Sequence, residues 1–139
     1  MKILFVSSVS LISNASAQTK ELLINDCGLP LEPHAADSAY LYSEKIEGSK
    51  HFGIWPLTQA AEACFGRSSW PKEQPTPQVC IELEVESAAA VAAAEVELRE
   101  RGHRLLHATR TEPWGQTVCR LLTAEGAILG ISFAPWLHS

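Results

Sequence analysis

Gln78-Val79-Cys80-Ile81-Glu82-Leu83-Glu84-Val85-Glu86, followed by Ser87, the alanine-rich run Ala88–Glu100 and Gly102, decides the reading of this chain. Val79, Ile81, Leu83 and Val85 alternate with Cys80, Glu82, Glu84 and Glu86. Successive strand side chains point to opposite faces, so the segment reads as a half-buried strand. Ser87 follows with a hydroxyl able to satisfy a free N–H of a first helical turn. Alanine has the highest helix propensity, so 88–100 reads as a helix. Gly102 ends it, because glycine takes the left-handed conformation without a steric penalty. Strands are then expected near His103–Thr109, Gln116–Leu122 and Ala127–Ala134, with Glu125-Gly126 as the turn between the last two.

Working back from residue 78, Arg67–Pro77 holds Pro71, Pro75 and Pro77 and reads as a connector. Before it the same order of elements recurs. Ile3–Ile12 reads as a strand with Ile3, Phe5, Val9 and Leu11 on one face. Ser13 or Asn14 is placed to cap a helix over Ala15–Asn25, which Asp26-Cys27-Gly28 stops. Short strands are expected around Leu29–Leu31, Ala39–Ser43 and Lys50–Trp55, with Ile46–Ser49 as a turn. Pro56 then opens a short helix, Leu57–Phe65, closed by Gly66.

Strand, capped helix, glycine stop and three strands thus occur twice, an internal repeat. One module alone leaves a sheet face uncovered, so the two must join. The expected fold class is α+β: a single domain over 1–139, with module one at about 1–66 and module two at about 78–139. Together they would form a curved, mostly antiparallel sheet around a central cup.

Composition narrows the function classes. A length of 139 residues suits one domain with a sizeable core. A net charge of -5 argues against a nucleic-acid partner. No stretch has the length and apolarity of a membrane span. Met1-Lys2, the apolar run after it and Ala15-Ser16-Ala17 have the parts of a secretory signal. The strand reading of that run is preferred, with a cytoplasmic location. Cys27, Cys64, Cys80 and Cys119 form no C-x-x-C pair and read as reduced, mostly buried thiols.

The second half, from Val79-Cys80-Ile81-Glu82-Leu83 through Arg101-Gly102-His103 to Pro113-Trp114-Gly115-Gln116 and Glu125-Gly126, resembles the C-terminal module of the glyoxalase/bleomycin-resistance (vicinal oxygen chelate) superfamily. Trp114-Gly115-Gln116 followed by an acidic-Gly turn is similar to the antibiotic-resistance branch. In the first half, Leu22-Leu23 and Cys27-Gly28-Leu29 resemble the usual helix end and Leu-Gly pair.

The resemblance implies paired βαβββ modules, a shared cup and frequently a dimer. It also implies four cup-facing positions that in the enzymes carry metal ligands. Here they fall on Ser8, Cys80, Gly130 and one of His51, Gly53 or Trp55. Glycine has no donor and serine is a poor ligand at neutral pH, so the usual metal site is expected to be absent, with no cofactor. A relocated site from His51, Glu82 and Glu84 is the rival. Against it stands the reading of the two glutamates as a solvated cup face or a dimer edge. Arg120 is read as either pairing with Glu82 or Glu84 inside the cup or pointing outward.

Without a metal, a cup would bind through aromatic and apolar walls with a few polar groups. The candidate ligand-binding residues are Tyr40, Tyr42, His51, Trp55, Cys80, Glu82, His107 and Trp114. Trp70 and Trp136, each beside a proline, read as core or interface residues. No catalytic residue can be named, since no histidine is paired by sequence with a nucleophile. Three functions are in play. The leading one is metal-independent binding of a small organic molecule, a drug or toxic metabolite, by a bleomycin-resistance-type homodimer. The second is a glyoxalase-like lyase or isomerase with a relocated or absent metal, served by His51 and Glu82. The third is a structural or interaction protein whose cup is filled by its own side chains.

Overall fold

The structure, a computed structural model, describes residues 1–36 and 38–138. Module one contains β1 (Phe5–Ser13), α1 (Ser16–Lys20, continuing as a π-helical stretch, Glu21–Asp26), β2 (Glu32–Pro33), β3 (Leu41–Ser43), β4 (Phe52–Pro56) and α2 (Leu57–Phe65). Module two contains β5 (Val79–Glu84), α3 (Ala88–Glu100), β6 (Leu105–Thr111), β7 (Thr117–Leu122) and β8 (Ile128–Phe133), and ends in a 3-10 turn, Pro135–Leu137. The architecture is α+β, with one mostly antiparallel eight-stranded sheet in the order β2-β3-β4-β1-β5-β8-β7-β6. Each module pairs its first strand in parallel with its last, β1 with β4 and β5 with β8. The modules meet at the antiparallel pair β1 and β5.

Local chemistry sets the element ends. The Ser87 Oγ accepts from the Ala90 N–H at 3.0 Å, the expected cap of α3. α1 has no side-chain cap, and the Ser13 Oγ instead accepts from the Ala15 N–H just ahead of it. Gly66 closes α2 at φ 74°.

One sheet face is covered by helices. Val91 and Ala94 of α3 pack with Leu105, Cys119, Leu121 and Ile131. Leu23 and Ile24, in the π-helical stretch, pack beside Leu41, Phe52 and Ile54. Phe52 and Ile54 therefore face the helical layer, which turns His51, Gly53 and Trp55 to the other face, as period-two alternation requires. On that second face α2 touches β4, β1 and β6 and so links the modules. Its Ala60, Ala63 and Cys64 bury Trp55, Cys80 and Ile128. No helix among the described residues is long and apolar enough to cross a membrane.

Three expectations shift. The strand expected at Leu29–Leu31 lies at Glu32–Pro33. Pro30 has no N–H for a ladder, while Leu31 is buried beside Leu41 and Ile54. β1 begins at Phe5 and slips register between Val6 and Ser8, so the single face Ile3, Phe5, Val9 and Leu11 does not persist along it. Glu84, expected on a solvated face or dimer edge, has no exposed surface at all.

Candidate functional site

The second face of the sheet encloses a cavity of about 380 Å³ to which both modules contribute. Tyr40, Tyr42, His51, Trp55, Cys80, Glu82 and Trp114 all line it. His107 does not. It stands behind Arg120, with its Nε2 3.1 Å from the guanidinium Nη1. β6 has register shifts on both sides of His107, so simple alternation does not govern where this side chain points.

Module one supplies an aromatic wall. Tyr42 stacks on His51 with centroids 5.1 Å apart and planes 12° from parallel. Tyr40 stacks on both. His34 meets Tyr42 edge-on at 5.6 Å. The Tyr40 hydroxyl lies 2.5 Å from the His51 Nε2, while the Glu44 Oε1 lies 3.6 Å from the His51 Nδ1. Burial holds the Tyr40 phenol well above its ordinary range, with the Glu82 charge adding to the effect. It therefore stays protonated and donates to His51. Burial also lowers the His51 pKa, partly opposed by Glu44, which keeps the ring neutral and able to accept that proton.

Module two supplies the charged groups. The Gln116 Nε2 donates to the Glu82 Oε1 at 3.0 Å and to the Ser132 Oγ at 2.8 Å. The Gln116 Oε1 accepts from the Trp114 indole N–H at 2.9 Å. One amide thus positions both a carboxyl group and a tryptophan. Burial raises the Glu82 pKa, and Arg120 and the Gln116 hydrogen bond pull it part of the way back.

Arg120 is fully buried and points inward. Its Nη2 is 3.7 Å from the Glu112 Oε2, and its guanidinium carbon sits 5.5 Å from the Trp55 ring centroid. Glu112 is also bound by the Arg110 Nε at 2.5 Å. A second Arg110 nitrogen donates to the Ala63 carbonyl of α2. His107 donates through Nδ1 to the Ala108 carbonyl, which leaves Nε2 to accept from Arg120. Its pKa falls to about 4, from burial first and then the arginine charges, so the ring is neutral.

Two glycines make room at the centre. A Cβ on Gly53 would lie 2.9 Å from the Leu41 carbonyl oxygen and 3.0 Å from the Tyr40 hydroxyl. A Cβ on Gly130 would lie 3.2 Å from the Glu82 Cγ. Tyr40 and Glu82 therefore occupy the space that side chains at these two positions would need. The residues do not fit the metal centre that the resemblance implies for the enzymes. Of the implied ligand positions, Gly130 brings no donor and Ser8 only a hydroxyl, the Cys80 thiol is buried with its pKa raised by desolvation, and at the fourth position Gly53 and Trp55 bring no ligand while His51 is hydrogen-bonded to Tyr40. The relocated set is dispersed as well. Glu82 is held by Gln116 and His51 by Tyr40, while the Glu84 Oε2 accepts from the Ala134 N–H and contacts the His138 Nε2. No group of three or more His, Cys, Asp or Glu among the described residues is placed to hold an ion.

That Glu84 contact draws the C-terminal turn over the cavity, so Trp136 and Leu137 line it. Trp136, read from sequence as core or interface, is 48% exposed and forms part of the rim. Trp70, by contrast, packs edge-on against Phe65 and donates to the Pro75 carbonyl, a structural role. Ser8, Ser10, His34, Glu44, Gln59, Gln116 and Arg120 also line the cavity. Gln116 was not among the sequence candidates, and the Trp114-Gly115-Gln116 motif is the signal that could have found it.

No protein-family model matches the chain, and no curated protein does. Solved structures do match. A glyoxalase/bleomycin resistance protein/dioxygenase superfamily member from Vibrio splendidus aligns with a TM-score of 0.60 at 11% identity, over 93% of this chain and 97% of that one. A methylmalonyl-CoA epimerase variant from Streptomyces coelicolor, in complex with 2-nitronate-propionyl-CoA, aligns at 0.58 and 13% identity over 99% of both chains. A Legionella pneumophila protein named as an NAD-dependent benzaldehyde dehydrogenase aligns at 0.56 and 12% identity, over 90% and 96%. Such differing names on one backbone show that the likeness speaks for architecture and not for activity. The chain has the fold of the glyoxalase/bleomycin resistance protein/dioxygenase superfamily.

Proposed function

We propose that this protein is a metal-independent small-molecule binding protein of the bleomycin-resistance type, which sequesters an organic drug or toxic metabolite in its cup. The observation that carries this reading is the 380 Å³ cavity walled by Tyr40, Tyr42, Trp55, Trp114 and Trp136. A cavity of that size falls within the range of small-molecule sites, and flat aromatic walls suit planar ligands. The cup is also not filled by its own side chains, as a purely structural role would require. A homodimer is part of the proposal, since Ile3, Leu4 and Val6 leave apolar surface exposed that a second copy would cover. The test is a titration of the tryptophan fluorescence with a panel of planar aromatic compounds, alongside light scattering for the dimer. Saturable quenching that weakens at least about tenfold in Trp114→Ala is expected. A panel without saturable quenching and without thermal stabilisation would sink the reading.

A metal-free lyase or isomerase is the second reading, and one arrangement favours it. Glu82, with its raised pKa, shares the cavity with the Glu44–His51–Tyr40 chain, so two groups able to exchange protons face one space. Turnover of a carbon acid that survives chelation and vanishes in Glu82→Gln would favour the enzyme over the binder.

A further inference from the structure

We propose that residues 135–138 form a strap that opens and closes over the cup, with the Glu84 carboxylate as its latch. The proposal rests on the reading of the cup as a ligand site for what passes the strap. The motion itself is tested without a ligand.

The strap is tied to the rest of the protein at few points. Its backbone hydrogen bonds stay within the turn, from the Leu137 N–H to the Ala134 carbonyl at 2.9 Å and from the His138 N–H to the Pro135 carbonyl at 3.2 Å. Pro135 has no N–H to add to a ladder. Past Ala134, the polar contact that joins the strap to the sheet among the described residues lies between the His138 Nε2 and the Glu84 Oε2, at 2.8 Å. The His138 ring also packs against Phe133 and Phe5, with centroids 4.9 and 5.7 Å away. Between hinge and latch, Pro135 and Trp136 are exposed. Trp136 lies beside the turn between β6 and β7, where a Cβ on Gly115 would be 4.0 Å from its ring.

The latch is arranged so that it can release. Glu84 has no exposed surface, and its Oε1 has no hydrogen-bond partner. A buried carboxylate stripped of every donor is strongly unfavourable. The Ala134 N–H prevents that, because it donates to the same Oε2 at 2.5 Å. Ala134 is buried directly after β8 and stays with the sheet when the residues beyond it swing away. One donor to Glu84 is therefore fixed, and the other is carried by the strap. Release of His138 leaves the carboxylate with a partner and admits water to it. The hinge falls at Ala134-Pro135, and the groups that move are Trp136 and Leu137, which line the cavity.

A gate of this kind has its own kinetic signature. While the closed form dominates, a weaker latch multiplies the small open fraction and hardly changes the closed one. Entry and exit then speed up together, and affinity stays nearly constant. A strap that is only a fixed wall would instead raise the exit rate alone when loosened, with a matching loss of affinity.

The experiment compares the full chain with His138→Ala, and with His138→Gln, whose amide N–H can donate to Glu84 in place of the imidazole. Amide hydrogen exchange is followed first, by NMR and without ligand. The wild-type Leu137 N–H is expected to exchange faster than the β8 amides, through an opening that leaves the sheet intact. His138→Ala is expected to accelerate it about tenfold, the worth of one hydrogen bond, while the β8 amides keep their rates. His138→Gln should fall between the two. Stopped-flow tryptophan fluorescence with acridine, a planar probe, follows. Association and dissociation rates are both expected to rise about tenfold in His138→Ala, with Kd within about twofold of wild type. Leu137 exchange at the rate of the β8 amides, or without acceleration in His138→Ala, would overturn the strap. Acridine binding with unchanged rates, or with a faster exit alone, would overturn the gate and leave the ligand-site reading standing. An absence of acridine binding would count against the ligand-site reading, and hydrogen exchange alone would then decide the strap.

Discussion

The two modules share a strand order and differ in what they point inward. In register along the sheet, module one places Ser10, Gly53 and Tyr42 side by side, and module two places Glu82, Gly130 and Arg120. The glycine is the same in both, and its neighbours are opposite in kind. Module one turns its face into a stacked wall of Tyr40, Tyr42 and His51. Module two builds a charged cluster of Glu82, Arg120, Glu112 and Arg110. A duplicated backbone thus gives one cup two unlike halves, one suited to contact area and one to charge.

Substituting equivalent positions should separate the halves most sharply at Arg120 and Tyr42. Arg120→Met removes a buried partner of Glu112 and is expected to cost about 3–5 kcal/mol in urea unfolding. Tyr42→Met, at a partly exposed stacked position, should cost no more than about 1.5 kcal/mol. Similar losses at both sites would mean that Arg120 contributes packing and not charge. The glycines come next. Gly53→Ala drives a Cβ against the backbone carbonyl of Leu41 and is expected to cost about 1–3 kcal/mol. Gly130→Ala meets a flexible glutamate side chain, so stability should fall by less than about 1 kcal/mol. The same variant should shift the Glu82 side chain and change ligand affinity at the cup.

A smaller contrast lies at the helix starts. Ser87→Ala removes the cap of α3 and should cost about 1 kcal/mol. Ser13→Ala, before a helix without a side-chain cap, should cost less by the same melting assay. The smallest effect is a slope. The His107 pKa is depressed to about 4 in the fold, from 6.5. The unfolded chain therefore binds the extra proton between these values, and stability should fall as pH drops from about 6.5 toward about 4. Thermal melts across that window should show a shallower decline in His107→Gln.

How much of this was legible in the sequence follows from the range over which each signal acts. The bounds of α2 and α3 agree with the sequence expectation, because Pro56, Gly66, Ser87 and the alanine run act within a turn. The turn to the cup of His51, Gly53 and Trp55 also followed, since period-two alternation is local. Arg120 and Glu84 were not placed. Alternation marks a charged residue as facing away from the apolar layer, and here the second face is covered too. It lies under α2, the β6–β7 hairpin and the C-terminal turn. Trp136 was missed for the same reason. Its position depends on the contact between His138 and Glu84, 54 residues apart in sequence, and no short-range pattern announces such a partner.

The seam between β1 and β5 also governs how the molecule assembles in time. The Ser7 hydroxyl and the Glu82 carbonyl that meet across it are 75 residues apart. Closing a loop of that length carries an entropy cost that contacts within either module do not bear in full. The modules should therefore gain structure first and dock last. While undocked, each exposes the unpaired edge of its first strand, the surface most prone to pair with another chain. Refolding at rising protein concentration should divert chains into dimers that exchange modules across this seam, at the expense of the monomeric closure.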